Sequence, residues 1–308
     1  MHNADIGFLR SRPGSSTEQT AMKTTIPKGN LYIVAMPIGH PDDITIRAVE
    51  VLNRVHVIAA EDTRNTARLL SRHGIGAPLL SCHEHNEEER VAALLQRLGA
   101  GEDVALVSDA GTPTLSDPGY RLVKTAVEQG IRVIPVPGPS AAVTALSASG
   151  LPTDSFVFVG FLPRKKGKRA EVLESLKEQP RTLIFYESPR RMTALMAEIE
   201  AVMGDREAVL CREMTKPYEE FLRGRLSELR KVLGARPEIK GECTFLVSGR
   251  GEGSAPPGET MRREIAAALS EEGARLSEIS RRLAEKYGVS KKIVYQEALT
   301  LKERKHDS

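Results

Sequence analysis

The sequence contains no tryptophan, and aromatic residues make up only 4% of it, so a surface built of base-stacking rings is not expected. Cysteine is scarce as well: Cys82, Cys211 and Cys243 are odd in number and widely scattered. That pattern speaks against a disulfide framework or a zinc cluster and for free thiols in a reducing cytoplasm. Neither sign of charge dominates. The 44 Lys and Arg against 41 Asp and Glu leave +3, too little to mark a nucleic-acid binder by bulk charge. The phosphate-cradling signatures G-x-G-x-x-G and G-x-x-x-x-G-K-[ST] are both missing, which leaves a dinucleotide or P-loop reading without its cradle. The longest uncharged run, Val133–Thr153, is interrupted by Pro135, Pro137, Pro139 and Pro152. In lipid such a backbone would leave amides unpaired, so the run reads as a buried strand, loop and helix, with no membrane partner. Met1–Lys28 is polar and has no apolar segment of the kind a secretory signal carries, so it reads as a disordered tail.

What remains is an ordinary globular mixture of 40% hydrophobic and 28% charged residues over 308 positions, enough chain for two or three domains. From Asn30 onward one pattern recurs: a short apolar run, a Gly-rich or polar junction, then a helical period. Strands are expected at Leu31–Ala35, Val55–Ala60, Val104–Val107 and Val133–Val136. Helices are expected at Asp43–Asn53 (capped by Asp42 or Asp43), Thr63–His73, Glu87–Leu98 and Asp117–Gln129. Strands alternating with helices predict a mainly parallel α/β sheet, and strands apolar throughout predict that both its faces are covered.

A boundary falls at Leu151-Pro152-Thr153. Beyond it the expected elements are strands at Phe156–Val159, Thr182–Tyr186, Ala208–Arg212 and Cys243–Val247, with a helix at Pro189–Met203. The last of these strands lie close enough in the chain to pair antiparallel. Gly249–Gly258 is rich in glycine and proline and reads as a linker. Met261–Lys302 follows as a module of three helices, with a Gly-containing turn ahead of a basic, Ser-capped last helix, as in a helix-turn-helix. The division is thus a tail at 1–28, an α/β domain at 29–150, a second at 151–249 and a helical module at 259–304 whose pattern suits contact with RNA or with protein.

Ligands of open α/β sheets sit at the carboxyl ends of the strands, so the junctions there carry the functional information. They read Met36-Pro37-Ile38-Gly39-His40, Glu61-Asp62-Thr63-Arg64, Ser108-Asp109-Ala110-Gly111-Thr112-Pro113, Pro137-Gly138-Pro139-Ser140-Ala141 and Glu187-Ser188-Pro189-Arg190-Arg191. Small residues, carboxylates and arginines gathered on one edge point to a shared cleft. Asp109 can accept hydrogen bonds from ribose hydroxyls or an amino group, and Gly111 permits close backbone approach. Asp117 reads as the cap of the following helix. His83-Glu84-His85-Asn86 lacks the helical spacing of a metal site and reads as cleft polarity, with no metal. The cations of Arg164–Arg169 read as a solvated loop or a phosphate grip.

These junctions, together with Ser81–Asn86, Ser116–Gly119, Ala148–Pro152, Gly160–Lys165, Phe185–Pro189, Arg212–Lys216 and Gly241-Glu242, resemble the bacterial small-subunit (16S) ribosomal RNA 2′-O-ribose methyltransferases of the tetrapyrrole-methylase superfamily. The resemblance spans about Lys28 to Gly249. It departs at Met36 and His40 in the first loop, at Met214, and at Thr114, where glycine is more familiar.

The resemblance implies two α/β domains of tetrapyrrole-methylase type with S-adenosylmethionine in the cleft between them, and a homodimer. It implies a cytoplasmic enzyme that methylates a cytidine ribose in the decoding region of 16S rRNA within the small ribosomal subunit, and it implies no DNA partner. Carried over by position, cofactor contacts fall to Pro37, Ile38, Gly39, Asp109, Gly111, Thr112, Pro113, Ser140, Ala141 and Tyr186. Substrate contacts fall to Arg64, His83, His85, Asn86, Arg164, Lys165, Glu187 and Arg191. Glu213 and Glu61 are the candidate bases, with Lys216 an alternative if burial lowers its pKa. The rival readings are a tetrapyrrole methylase and a non-enzymatic ribosome-assembly protein that binds RNA.

Overall fold

The computed structural model describes residues 27–83, 86–250, 259–269, 275–287 and 289–306, without side chains for 259, 260 and 303–306. The expected tail lies outside these residues up to position 26, as do Glu84, His85 and most of the expected linker.

The first sheet comprises β1 (Leu31–Val34), β2 (Val57–Ala60), β3 (Leu79–Ser81), β4 (Val104–Val107) and β5 (Val133–Val136), in the order β3-β2-β4-β1-β5. Every pairing is parallel. The helices are α1 (Ile46–Arg54), α2 (Thr63–Arg72), α3 (Glu87–Gly99), α4 (Tyr120–Glu128) and α5 (Ala141–Ser149). Alternate residues of each strand serve opposite cores. Tyr32 and Val34 pack with Val51 and Leu70 on one face, whereas Leu31 and Val57 pack with Leu94 and Leu122 on the other. This two-sided burial is why the strands carry no polar alternation.

The second sheet comprises β6 (Phe156–Phe161), β7 (Thr182–Glu187), β8 (Glu207–Arg212), β9 (Glu220–Arg225) and β10 (Cys243–Val247), in the order β6-β7-β10-β8-β9. Only β6 and β7 run parallel; the remaining pairs are antiparallel, as their short separations suggested. One face is covered by α6 (Lys166–Leu176), α7 (Pro189–Met203) and α8 (Leu226–Gly234) around Phe185 and Phe245. The other face takes α5: Ala142, Ala145 and Leu146 pack on Ile184, Val209 and Leu246. One helix thereby joins the two sheets, and the carboxyl ends of the parallel strands come to face β7 and β10.

The C-terminal segment forms α9 (Glu259–Ala268), α10 (Leu276–Tyr287) and α11 (Lys291–His306), with a separate core of Ile265, Ile279, Leu283 and Val294. The run Val133–Thr153 is β5, a loop and α5, and no helix among the described residues is long and apolar enough to cross a membrane. All three cysteines are buried free thiols.

Two helix starts differ from expectation. Pro41–Asp43 forms a separate 3₁₀ turn, so α1 begins at Ile46 with the Thr45 side chain accepting the Ala48 N–H, and neither Asp42 nor Asp43 caps it. α4 begins at Tyr120 after Gly119, whose φ of 111° breaks the helical path, so Asp117 lies three residues ahead of the helix and is not its cap.

Candidate active site

Because every strand of the first sheet is parallel, their carboxyl ends share one edge, and a cleft of about 510 Å³ opens there. Ile38 follows β1, Glu61 follows β2, Asp109 and Gly111 follow β4, and Ser140 precedes α5; all line it. The opposite wall comes from the second sheet. Antiparallel register places Cys243 beside Glu187 and Thr244 beside Tyr186, so the end of β7 and the start of β10 form one surface.

The loops are tied together by their backbones. Met36 and Gly111 exchange both N–H···O bonds, at 2.8 and 3.0 Å, and the Thr112 hydroxyl donates to the Pro139 carbonyl at 3.2 Å. Asp109 receives the Asp62 N–H at 3.0 Å on one oxygen and the Asn65 amide at 3.2 Å on the other, which fixes the start of α2 and with it Glu61. Tyr186 accepts the Ala142 N–H at 3.1 Å at the head of α5. Its ring meets Phe158 and Phe161 edge-on at 5.1 and 5.6 Å. The result is an aromatic wall facing a polar shelf.

The loop after β4 is conformationally strained: Thr114 and Ser116 adopt φ of 72° and 69°, a region that disfavours β-branched residues. Replacing Thr114 by glycine is therefore expected to raise stability by about 0.5–1 kcal/mol after glycine's own entropic cost. Denaturant unfolding of the variant measures this, and a loss of stability would refute it.

Charges in the cleft interact. Burial, followed by the charge of Asp109, pushes the Glu61 carboxyl above its ordinary range. Asp117 lines the cleft too. Burial drives it up to about 6 against the opposing Ser108 hydroxyl, with the charges of Glu61 and Asp109 adding to the rise. Paired carboxylates with raised pKa values are suited to proton uptake near neutral pH.

The other two base candidates are placed differently. The Glu213 carboxylate receives the Lys216 ammonium and the Glu242 N–H, each at 2.9 Å, and Lys216 also reaches Glu242 at 3.1 Å. Against the opposing effect of burial, these bonds hold Glu213 below its ordinary range and Lys216 above its own. The lowered lysine pKa that a Lys216 base requires is thus reversed in sign, because two carboxylates outweigh burial. Neither residue lines the cleft.

A family profile described as "Tetrapyrrole (Corrin/Porphyrin) Methylases" matches residues 30–230. A protein of Micromonospora olivasterospora named "Ribosomal RNA small subunit methyltransferase I" is 48% identical over 276 residues, covering 90% of this chain and 88% of its own. One of the same name from Halalkalibacterium halodurans is 47% identical, covering 87% and 94%. The chain belongs to the tetrapyrrole methylases, in their small-subunit rRNA methyltransferase I group. A solved uroporphyrin-III C-methyltransferase from Thermus thermophilus, complexed with S-adenosylhomocysteine, shares the fold at a TM-score of 0.51. It is 22% identical and covers 71% of this chain and 97% of its own.

Of the tetrapyrrole-methylase positions carried over for a cofactor, Ile38, Asp109, Gly111, Thr112, Ser140, Ala141 and Tyr186 line the cleft. Pro37 and Pro113 are buried and do not line it. Gly39 packs elsewhere: a Cβ there would lie 2.6 Å from the Met214 carbonyl oxygen and 2.5 Å from the Thr215 hydroxyl. The same contact is held by the His40 N–H, which donates to that hydroxyl at 2.8 Å. Gly39 thus lets the first loop press against the 213–216 loop instead of meeting a ligand.

Among the substrate candidates, Glu187 lines the cleft and His83 lines a neighbouring cavity. Asn86 accepts the His83 N–H at 2.8 Å and donates to the Ser81 carbonyl, which shapes the turn. His85 lies outside the described residues. Arg64, Arg164 and Lys165 are exposed. Arg191 is bound to Glu187 at 2.5 Å. The expected basic loop is only partly a loop, since α6 begins at Lys166, and Arg169 is committed to Glu198 through two bonds of 2.6 and 2.7 Å. Sequence reading missed Asp117, Ser116 and Phe161 as cleft residues. The signal was available for Asp117, because Gly119 two residues later is a poor first helical turn.

Proposed function

We propose that the chain transfers a methyl group from S-adenosylmethionine to the 2′-hydroxyl of a cytidine ribose in the decoding region of 16S rRNA, acting on the small ribosomal subunit as a cytoplasmic homodimer. The observation that carries this reading is the cleft itself, in a chain nearly half identical over most of its length to proteins named for small-subunit rRNA methylation.

The cleft fits the cofactor. Its volume of about 510 Å³ lies in the range of small-molecule sites. Its lining pairs an aromatic wall at Tyr186, suited to adenine, with the Asp109 carboxylate, suited to ribose hydroxyls or the amino group. At Gly111, whose φ is 75°, the nearest atom to the place a Cβ would take is the Ile38 methyl at 3.5 Å, so the shelf stays open. When bound, the cofactor supplies an electrophilic methyl on sulfonium, which needs no metal for activation. The residues of the chain then hold the reactants in line and take up the hydroxyl proton. Of the three base candidates, Glu61 is the one that lines the cleft. Arg164 and Lys165 are exposed and follow the cleft residue Phe161 by three and four positions in the chain, and as cations they are suited to backbone phosphates.

The division at 29–150, 151–249 and 259–304 belongs to the same reading, supported by the separate core of the three C-terminal helices. The exposed apolar side chains of Val127 and Val143 offer surface for a second copy.

Incubation of small ribosomal subunits with tritiated-methyl cofactor tests the function. Label is expected in a cytidine of the RNA, on the ribose. RNA without label would overturn the reading in favour of a tetrapyrrole substrate or a non-enzymatic assembly role.

A further inference from the structure

Beside the cleft lies a second cavity of about 540 Å³. Glu61, Ser116 and Asp117 line both cavities and so stand on the partition between them. The rest of the wall includes His83, Glu87, Tyr120 and Arg121. Glu87 is fixed inward: its side chain is 13% exposed, accepts the Gly119 N–H at 3.2 Å and lies 3.9 Å from Arg121. Tyr120, by contrast, is 67% exposed, a free ring at the mouth.

With the methyl donor in the first cleft, an attacking oxygen that enters from the second cavity meets it at the partition. The base of that nucleotide, attached one ribose carbon away, then continues into the second cavity. The lining suits it. Carboxylates accept from an exocyclic amino group such as cytosine presents, an exposed tyrosine stacks on a base drawn out of its helix, and Arg121 can hold a flanking phosphate.

We propose that the second cavity seats the acceptor nucleotide, through an amino-bearing base, and that Asp117 is the catalytic residue that takes its 2′-hydroxyl proton. This rests on the rRNA reading above. The 2′-oxygen forms the new C–O bond as the C–S bond breaks with its electron pair going to sulfur. The hydroxyl proton passes to the Asp117 carboxylate, so the positive charge of the donor and the negative charge of the base disappear together.

The surroundings of Asp117 favour a proton acceptor that works near neutral pH. Glu61, Asp109 and Glu87 face it from the first sheet's loops and α3, with His83 and Arg121 as the opposing basic groups. Glu187 and Glu242 line the cleft from the second sheet, but Arg191 and Lys216 neutralise them. Burial, with the charges of Glu61 and Asp109 beside it, raises the carboxyl to about 6 against the Ser108 hydroxyl.

The test compares wild type, Asp117→Asn and Tyr120→Ala on small ribosomal subunits, with S-adenosylhomocysteine binding followed by calorimetry. Asp117→Asn is expected to lower kcat about 10²-fold or more. It should also abolish the acidic limb of the kcat/KM–pH profile near pH 6, with S-adenosylhomocysteine affinity unchanged. Tyr120→Ala is expected to raise the subunit KM about tenfold, also without changing that affinity. A subunit with uridine at the target is expected to react about tenfold less efficiently than one with cytidine. A wild type that labels no RNA overturns the rRNA reading and this proposal with it. A wild type that labels RNA overturns this proposal alone if Asp117→Asn keeps its turnover and acidic limb, if Tyr120→Ala keeps its KM, or if cytidine and uridine react equally.

Discussion

Replacing Asp109 by alanine is expected to weaken S-adenosylhomocysteine binding about 100-fold while leaving the protein folded. A carboxylate has about four lone-pair sites, and the Asp62 N–H and the Asn65 amide occupy one on each oxygen. The remaining sites face the cleft that Asp109 lines. Hydrogen bonds to a charged group contribute about 1.5–3 kcal/mol each, and the loss of two at the lower figure is already about 100-fold in affinity. The substitution also releases the start of α2 and so the backbone that carries Glu61. The side chain is exposed, so the fold itself loses little.

Asp109→Asn separates the two effects. Its amide oxygen still accepts the Asp62 N–H, so the loop stays fixed while one charged acceptor is lost, and affinity is expected to fall only about tenfold. Calorimetric titration of both variants, with thermal melts beside it, makes the measurement. An Asp109→Ala protein that binds as tightly as the wild type would remove Asp109 from the cofactor site.

The parts of this molecule that could be read in advance are those where local and tertiary demands agree. β4, β5, β10 and α7 have the expected bounds, because Pro, Gly or polar junctions end each one, and β4 and β10 are buried throughout as their apolar runs demand. β3 has three residues, all half-buried, too short to register as a periodic pattern. β9 (Glu220–Arg225) is polar at the sheet edge and is recognised only by its register with β8. The cleft was legible as an edge of the sheet because the strands are parallel. Individual roles were not, since they depend on partners brought from the other sheet or from a loop's strain. Ser116-Asp117-Pro118 looks like a helix start, but the positive φ of Ser116 and Gly119 turns Asp117 toward the cavities instead. Glu213 and Lys216 looked like reactive groups; a turn with Glu213 and Thr215 at positive φ brings them together, which no periodic pattern shows.

The same lesson gives the largest expected loss of stability, at Arg191. Glu187 is only 5% exposed, and three donors converge on one of its oxygens: the Ser188 N–H at 2.6 Å and Arg191 through Nε at 2.8 Å and Nη2 at 2.5 Å. Arg191→Met keeps the aliphatic stem on α7 but leaves a buried carboxylate with one backbone donor. Breaking such a pair costs about 3–5 kcal/mol. The lower end applies here because the Arg191 side chain is 40% exposed and water screens part of the loss. About 3 kcal/mol corresponds to a melting temperature lower by roughly 5 °C at this chain length. Removing the orphaned charge as well, in Arg191→Met with Glu187→Leu, is expected to recover most of that loss, because the desolvation cost disappears with the carboxylate. The double variant also tests the substrate contact that the resemblance implies for Arg191. If the guanidinium serves mainly to neutralise Glu187, the restored protein binds small subunits as the wild type does. A double variant that is stable yet binds subunits weakly returns Glu187, Arg191 or both to the RNA. An Arg191→Met protein that melts within about 1 °C of the wild type, less than 1 kcal/mol, would show that Glu187 does not depend on it.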